Sequence, residues 1–465
     1  MRFVLLIDFG STYTKLTAVD VEKAEVLATA DDYTTADTDI MIGFEKAYSK
    51  LQSAAGNIAY QKRLACSSAA GGLRMVACGL VPALTAKAAK LAAFGAGAKV
   101  IQTFAYELTN DDVAQIDAIA PDILLLTGGT DGGNREVIEH NAHMLARSKR
   151  AFPIVYAGNR GSKDVCIEQL DGELHPVYAT ENVMPVLNKL NILPAQSIIR
   201  QIFLEKIISG KGLSREKALI EGIIMPTPSA VLSALTLLSE GTNGRRGIGE
   251  LMAVDLGGAT TDIYSIAKGA PSNPATILHG LQEPYAKRTV EGDIGMRYSA
   301  HGIVEAAGMD ETCRCSGLDS SAVNAMLDRI NRDKSMLPQT EEEKAFDFAL
   351  AALAVRIGLC RHAGTIQQIY TPMGPVFQQT GKDLTEIDRI IITGGALIHS
   401  AQYTDIIREA VSVSDEQALI PRKARVARDA RYILSAMGLL ASYDQNTAFD
   451  ILYKSFGKDE VYATE

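Results

Sequence analysis

Leu251-Met252-Ala253-Val254-Asp255-Leu256-Gly257-Gly258-Ala259-Thr260-Thr261-Asp262-Ile263-Tyr264 is the stretch whose reading decides the fold. Residues 251–254 read as a buried strand that carries Asp255 to a tight Gly257-Gly258 turn, and a second strand leaves through Asp262 and Ile263. Glycines let a backbone come close to a ligand, and successive N–H groups in such a turn form a concave anion site. Asp255, at a strand end, is placed to face a metal ion. Many hairpins contain one such turn. This one has an earlier partner, Leu5-Leu6-Ile7-Asp8-Phe9-Gly10-Ser11-Thr12-Tyr13-Thr14-Lys15. A later apolar strand, Ile390-Ile391-Ile392, ends in Thr393-Gly394-Gly395-Ala396. The three together are far more specific than any one alone.

This constellation resembles the actin-like ATPase superfamily, which includes sugar and acetate kinases, heat-shock chaperone ATPase domains and actin. The resemblance makes residues 8–15 a first phosphate motif, 255–262 a second and 390–396 an adenosine motif. It implies an α/β chain with a duplicated actin-like, ribonuclease-H-like ATPase fold, its two domains set around a nucleotide cleft, with ATP and Mg2+ as ligands. Asp8 and Asp255 would orient magnesium through its water shell, and Asp262 or Thr260 would help place the attacking water. Gly10, Ser11, Thr12, Lys15, Gly257, Gly258 and Thr261 would hold the phosphates, with Gly394, Gly395 and Ala396 at the nucleoside. Magnesium usually keeps several waters and takes one or two carboxylates, which fits two aspartates. The chain departs from the chaperones at Ala259, where they often carry a third glycine.

Length and composition bound the rest. A chain of 465 residues holds two large domains or three smaller ones with ample core. Its formal net charge of −9 argues against a broad nucleic-acid or membrane-surface footprint. The apolar run at residues 3–7 is too short for a signal peptide and meets Asp8 at once, and no stretch approaches a membrane span. The six cysteines are scattered, which suggests a reducing, cytoplasmic setting. Cys313-Arg314-Cys315 is their only close pair, too few ligands for a local metal site. His140 and His143 would share a helix face without a nearby carboxylate or thiol. Sequence leaves open a homo-oligomer, and with it a metal site shared across a dimer.

Taken in order, residues 3–8, 15–20 and 26–30 read as a strand meander, followed by a helix over 40–54 that Thr38 and Asp39 can cap. The pattern predicts a second copy with strands near 251–256, 261–267 and 275–279. Small residues crowd Ser67-Ser68-Ala69-Ala70-Gly71-Gly72, suggesting a loop pressed on a ligand or a tight turn between strands. Residues 83–180 alternate helix and strand patterns and read as an inserted or elaborated α/β lobe with a parallel sheet. Its Thr127-Gly128-Gly129-Thr130-Asp131-Gly132-Gly133 turn lies where open α/β sheets bind ligands, although a βα turn that merely needs room has the same composition. Thr227 and Ser229 would cap a helix over 230–239, and 240–247 reads as a linker. This divides the chain into a first actin-like domain (1–246), a second (247–426) and a closing helix with tail (427–465). Asp293 would cap a helix over 294–307, while the charges around 287–297 also suit a cleft-facing role.

Within the superfamily, residues 67–75, 127–134, 225–228 and 289–297 resemble one family, the accessory protein of coenzyme-B12-dependent glutamate mutase, called GlmL or MutL (unrelated to the mismatch-repair MutL). That resemblance implies an ATP-dependent helper that reactivates an adenosylcobalamin-dependent mutase, with the mutase subunits as partners. A small-molecule kinase is the alternative, but it would need a general base that the sequence does not show. A nucleotide-regulated scaffold or a hydantoinase-type hydrolase subunit is a third reading, the hydrolase weakened by the lack of a histidine-rich metal motif.

Overall fold

The structure is a computed structural model. It describes residues 2–10, 12–35, 40–67, 73–93, 96, 98–170, 172, 174–210, 223–372, 374–412, 417–423 and 425–457. Ser11, the Thr38 and Asp39 cap and the 68–72 loop lie outside the described residues. The chain divides into two units, Met1–Val231 with Gly438–Asp444, and Leu232–Met437 with Gln445–Glu465.

The first unit opens with β1 (Phe3–Phe9), β2 (Tyr13–Asp20), β3 (Glu25–Tyr33), the helix Ile40–Ala55 and β4 (Lys62–Ser67). There follow β5 (Leu73–Gly79), β6 (Ala98–Ala105), β7 (Ile123–Leu126), β8 (Ile154–Tyr156), β9 (Val177–Ala179) and β10 (Ile223–Pro226). One sheet has the order β10-β4-β1-β2-β3. Its meander is antiparallel, while β4 and β10 run parallel to β1.

The other sheet, β6-β5-β7-β8-β9, is parallel throughout. A sheet buried on both faces gives continuous apolar strands, and all four residues of β7, Ile-Leu-Leu-Leu, are buried. Ile123 and Leu125 face a core shared with Leu5, Ile7 and Phe9 of the first sheet. Leu124 and Leu126 face a second core with Val113, Ile138 and Tyr156. The predicted lobe is therefore a parallel α/β layer fused to the first sheet through one core. It begins at β5, earlier than the pattern of 83–180 suggests.

The second unit contains the short hairpin of β11 (Gly241–Thr242) and β12 (Arg245–Arg246), where composition predicts a linker. Its main strands are β13 (Leu251–Leu256), β14 (Thr261–Ile266), β15 (Thr276–His279), β16 (Ala286–Glu291), β17 (Thr365–Thr371), β18 (Gly374–Thr380), β19 (Arg389–Thr393) and β20 (Arg425–Arg428). The order β16-β14-β13-β19-β20 repeats the first sheet strand for strand, with the same directions. This is the duplicated actin-like, ribonuclease-H-like fold.

The third strand of the second meander is β16, not the predicted 275–279 segment. Residues 276–279 form β15, which belongs to a separate sheet, β15-β18-β17. Ala-Lys-Arg-Thr-Val-Glu does not look like a core strand, but β16 lies at the sheet's end and its charges are paired with Glu283, Asp262 and Arg361. Behind the sheet, the helix Glu341–His362 starts in a capping box of Thr340 and Glu343 and buries Phe346, Leu350, Leu353 and Leu359 in the core. The segment from 427, expected to open as a closing helix, begins with the last residues of β20 and becomes helical only at Leu434–Ala441, followed by the helix Gln445–Phe456.

Candidate functional site

Each unit carries its aspartate at the end of the central strand, followed by a hairpin turn of the same geometry. The Gly10 N–H donates to Tyr13 O at 3.1 Å, and the Gly257 N–H to Thr260 O at 3.0 Å. Asp8 pairs across the ladder with Lys15, and Asp255 with Asp262, each seven positions on. The duplication therefore reaches the turn itself. A β-carbon at Gly10 would lie 2.5 Å from Tyr13 O, whereas one at Gly257 would lie 3.1 Å from Thr260 O.

In the second unit, the turn is gripped from outside by the segment after β16. The N–H groups of Met296, Arg297 and Tyr298 donate to the carbonyls of Gly257 and Gly258, and Ser299 Oγ donates to Ala259 O at 2.9 Å. A β-carbon at Gly295 would collide with the Ala259 backbone at 2.3 Å. Committed to the turn in this way, residues 294–299 do not wind into the predicted helix, which begins only at Ala300. Occupied carbonyls fix the direction of the turn, and the chain thereby presents Gly258 and Ala259 at its exposed tip. Thr261 is fully buried and donates its hydroxyl to Ile294 O. Thr260 is half-buried in the turn, just before the return strand.

Asp262 is engaged by Arg288, one of the charges of the 287–297 stretch, a pairing that sequence reasoning did not assign. Arg288 Nε donates to its Oδ1 at 2.7 Å, and Arg288 Nη2 lies 2.5 Å from the same oxygen. Gly394, at φ +87°, packs on the second turn: a β-carbon there would lie 2.4 Å from Leu256 O and 2.7 Å from Asp255 Oδ1. The protein itself therefore requires this glycine. Gly395 has room, its nearest neighbour being Tyr432 Oη at 3.7 Å, and it opens the short helix Gly395–Ile398 with Ala396.

In the first unit, Asp8 is 5% exposed and accepts a 2.6 Å hydrogen bond from Thr227 Oγ1, at the start of the helix Thr227–Glu240. Sequence reading makes Thr227 a helix cap. Its partner lies 219 residues away, and the only local signal is a hydroxyl between two prolines. Thr12 is exposed at the tip of the turn, where its carbonyl accepts from the Thr34 N–H, and Lys15 is half-buried on the return strand. Cys66 stands beside Asp8 in the ladder, and burial followed by the Asp8 charge pushes its thiol well above the ordinary range. It remains a neutral thiol and not a nucleophile.

The glycine turn after β7 closes on itself. Asn159 donates to the carbonyls of Gly133 and Asn134 and accepts from the Gly161 N–H, while Asn182 donates to Gly129 O and to Asp131. Its polar groups are largely spent on the turn. His140 bonds the Leu108 carbonyl, His143 is exposed, and Cys313 and Cys315 are half-buried on the helix Met309–Ser316. Among the described residues no three His, Cys, Asp or Glu side chains converge as a metal cluster, and no helix is long and apolar enough to cross a membrane.

A family model described as "MutL protein" matches residues 4–456. "Protein MutL" of Clostridium tetanomorphum is 50% identical over 457 residues, covering 98% of this chain and 99% of that relative. Among solved structures, a ligand-bound xylulose kinase from Lactobacillus acidophilus is 10% identical, with 99% of this chain and 93% of that one covered at a TM-score of 0.37. A diol dehydratase-reactivating factor in nucleotide-free form is 11% identical, with 95% and 100% covered at 0.34. Likenesses of that size add nothing to the topology already described. The family match and the half-identity both run nearly the whole length, and on them this chain belongs to the MutL protein family.

Proposed function

We propose that this chain is an ATP-dependent accessory protein that reactivates an adenosylcobalamin-dependent mutase, glutamate mutase or a related aminomutase. The observation that carries the nucleotide half is the duplicated turn, with Asp8 and Asp255 at equivalent ends of equivalent central strands. Membership of the MutL family supports the mutase half. Each unit offers its own turn to the triphosphate, with Gly10, Ser11, Thr12 and Lys15 in one, and Gly257, Gly258 and Thr261 in the other. Asp8 and Asp255 orient magnesium through its water shell. Carboxylates are hard oxygen donors that suit magnesium, which takes its other ligands from water and phosphate, while the backbone N–H groups of the turns suit the phosphate oxygens. Thr260 is the better candidate to place the attacking water, because Asp262 is already paired with Arg288. The nucleoside lies against Gly394, Gly395 and Ala396. When bound, ATP supplies the phosphoanhydride whose hydrolysis drives the cycle.

The test is a reactivation assay on substrate-inactivated mutase with fresh adenosylcobalamin, magnesium and ATP, run with wild type, Asp8→Asn and Asp255→Asn. Wild type restores activity and the variants do not. Equal recovery with all three proteins, or none with wild type, ends the proposal. Calorimetry on the same proteins separates loss of nucleotide from loss of partner. Gly395→Val, at a position with room for the side chain, weakens ATP binding without unfolding the protein; unchanged affinity would place the nucleoside elsewhere.

A further inference from the structure

The two turns differ in the residue that faces the aspartate across the hairpin. In the first unit the residue opposite the turn aspartate is a cation, Lys15; in the second it is another acid, Asp262. Directly opposed residues of an antiparallel pair leave the same face with β-carbons roughly 5 Å apart, and like charges placed there are destabilising. The neighbouring strand supplies a cation. Tyr264 pairs with Arg288 in the β14–β16 ladder, so Arg288 lies diagonally from Asp262 on the face shared with Asp255. Its guanidinium reaches Asp262 Oδ1 through two nitrogens, at 2.7 and 2.5 Å. It also lies over the Tyr264 ring, 5.9 Å from the centroid. The Arg288 and Asp262 side chains are only 10% and 14% exposed, so water screens the pair little. A carboxylate held in this way is not available to take a proton from water.

We propose that Arg288 is a positioning residue of the nucleotide site, holding Asp262 as a neutral pair so that this face turns one negative charge, not two, toward an incoming polyphosphate. The inference rests on the ATP reading above and reassigns Asp262 from the reaction to the frame. It also explains how one hairpin geometry works with opposite charges at the same ladder position. The first turn sets Lys15 between Asp8 and Asp31 in the ladder, and the second sets Arg288 beside Asp262 from the strand beyond.

An extra uncompensated charge near the turn repels ligands in proportion to their own charge, and at partly buried distances that amounts to roughly a tenfold change in affinity for a triphosphate. A purely structural role would instead weaken all ligands alike. The experiment compares adenosine, ADP and ATP binding by calorimetry in wild type, Arg288→Lys, Arg288→Met and Arg288→Met with Asp262→Asn. The expected result is a graded loss in Arg288→Met, with ATP weakened about tenfold, ADP less and adenosine about twofold or less. Adding Asp262→Asn brings ATP back to within about threefold of wild type, and Arg288→Lys, which keeps the charge but not the two-nitrogen grip or the stacking on Tyr264, falls between wild type and Arg288→Met. Where Arg288→Met does not fold, Arg288→Gln removes the same charge while keeping a donor for Asp262. Equal loss for all three ligands, or no recovery on adding Asp262→Asn, overturns the inference while leaving the ATP reading intact. A wild-type protein that binds no ATP overturns both.

Discussion

The two turns have the same backbone and different supports. The first is held from within its own meander, where Thr34 donates to Thr12 O, and from a distant helix start, where Thr227 grips Asp8. The second is clasped by the segment 296–299 through three backbone amides and a serine hydroxyl. The next position on the neighbouring parallel strand also differs. In the first unit it is Ser67, fully buried and donating to Phe9 O; in the second it is Gly394, pressed on Leu256 and Asp255. What duplication preserves here is the ladder register and the hydrogen bond from glycine to the carbonyl three residues on. The surrounding braces are interchangeable because any donor that satisfies the turn's carbonyls serves the same end.

The strongest way to break this comparison is to exchange the two flanking residues. Gly394→Ala drives a β-carbon into a backbone carbonyl and the Asp255 carboxylate at a positive φ, so overpacking of roughly 1–3 kcal/mol adds to backbone strain. Thermal melting should fall by several degrees and ATP binding with it, while Ser67→Gly costs much less. A Gly394→Ala protein that melts like wild type would show that the second turn is not packed as described. Thr227→Val comes next. It deletes a charge-assisted hydrogen bond to Asp8, worth roughly 1.5–3 kcal/mol. Denaturant unfolding should register the loss, and Thr227→Ser should recover most of it.

A smaller contrast lies in the turn glycines. Gly10→Ala forces a 2.5 Å approach to Tyr13 O, but Gly257→Ala needs only a few tenths of an ångström of give at 3.1 Å. Calorimetry should therefore find ATP weakened more by the first substitution than by the second; the reverse order would mean that the turns are unequal in another way.

The last contrast is one of pH and concerns a buried lysine of the second unit. Behind its sheet, Lys382 is 1% exposed and donates to Tyr285 O and Ser265 Oγ, whereas no described lysine of the first unit is buried. Lys287, paired with Glu283, and His362, bonded to Ser265 and Thr289, face the same network. Burial, and then the Lys287 charge, bring Lys382 from 10.5 down to about 7. Between those values the unfolded chain holds a proton that the folded chain does not, so stability rises with pH through that window. His362, pushed well below its ordinary range by burial and the two lysines, acts in the same direction at lower pH: stability falls as acid protonates it in the unfolded chain. Lys382→Met should flatten the rise above neutrality in a series of denaturant melts and leave the acid limb. An unchanged slope would mean that Lys382 titrates normally.

Much of this site was legible residue by residue. Asp8 and Asp255 stand at strand ends before tight turns, as an apolar run followed by an acid and glycines requires. The parallel lobe was visible in Ile123-Leu124-Leu125-Leu126, since only a strand buried on both faces is apolar throughout. By contrast, β16 was hidden by its charges, and the neighbouring 276–279 segment took its place in the reading. The helix over 294–307 was anticipated from a capping aspartate, but Asp293 binds Arg361 instead, and the backbone beyond it is spent on the turn. Thr227 looked sufficient as a cap because nothing within ten residues of it announces Asp8.

By itself the sequence determined the first strand meander, the first two strands of the second, the two glycine turns and their duplication, because side-chain alternation and turn chemistry act over a few neighbouring residues and leave a local record. The tertiary structure alone decided that Arg288 neutralises Asp262, that Thr227 holds Asp8 and that Gly394 lies against Asp255. Those contacts depend on which strands lie side by side and in what register. That is settled when the cores close, by burial of residues such as Leu256, Ile263 and Ile392 whose apolar character is common to many possible pairings.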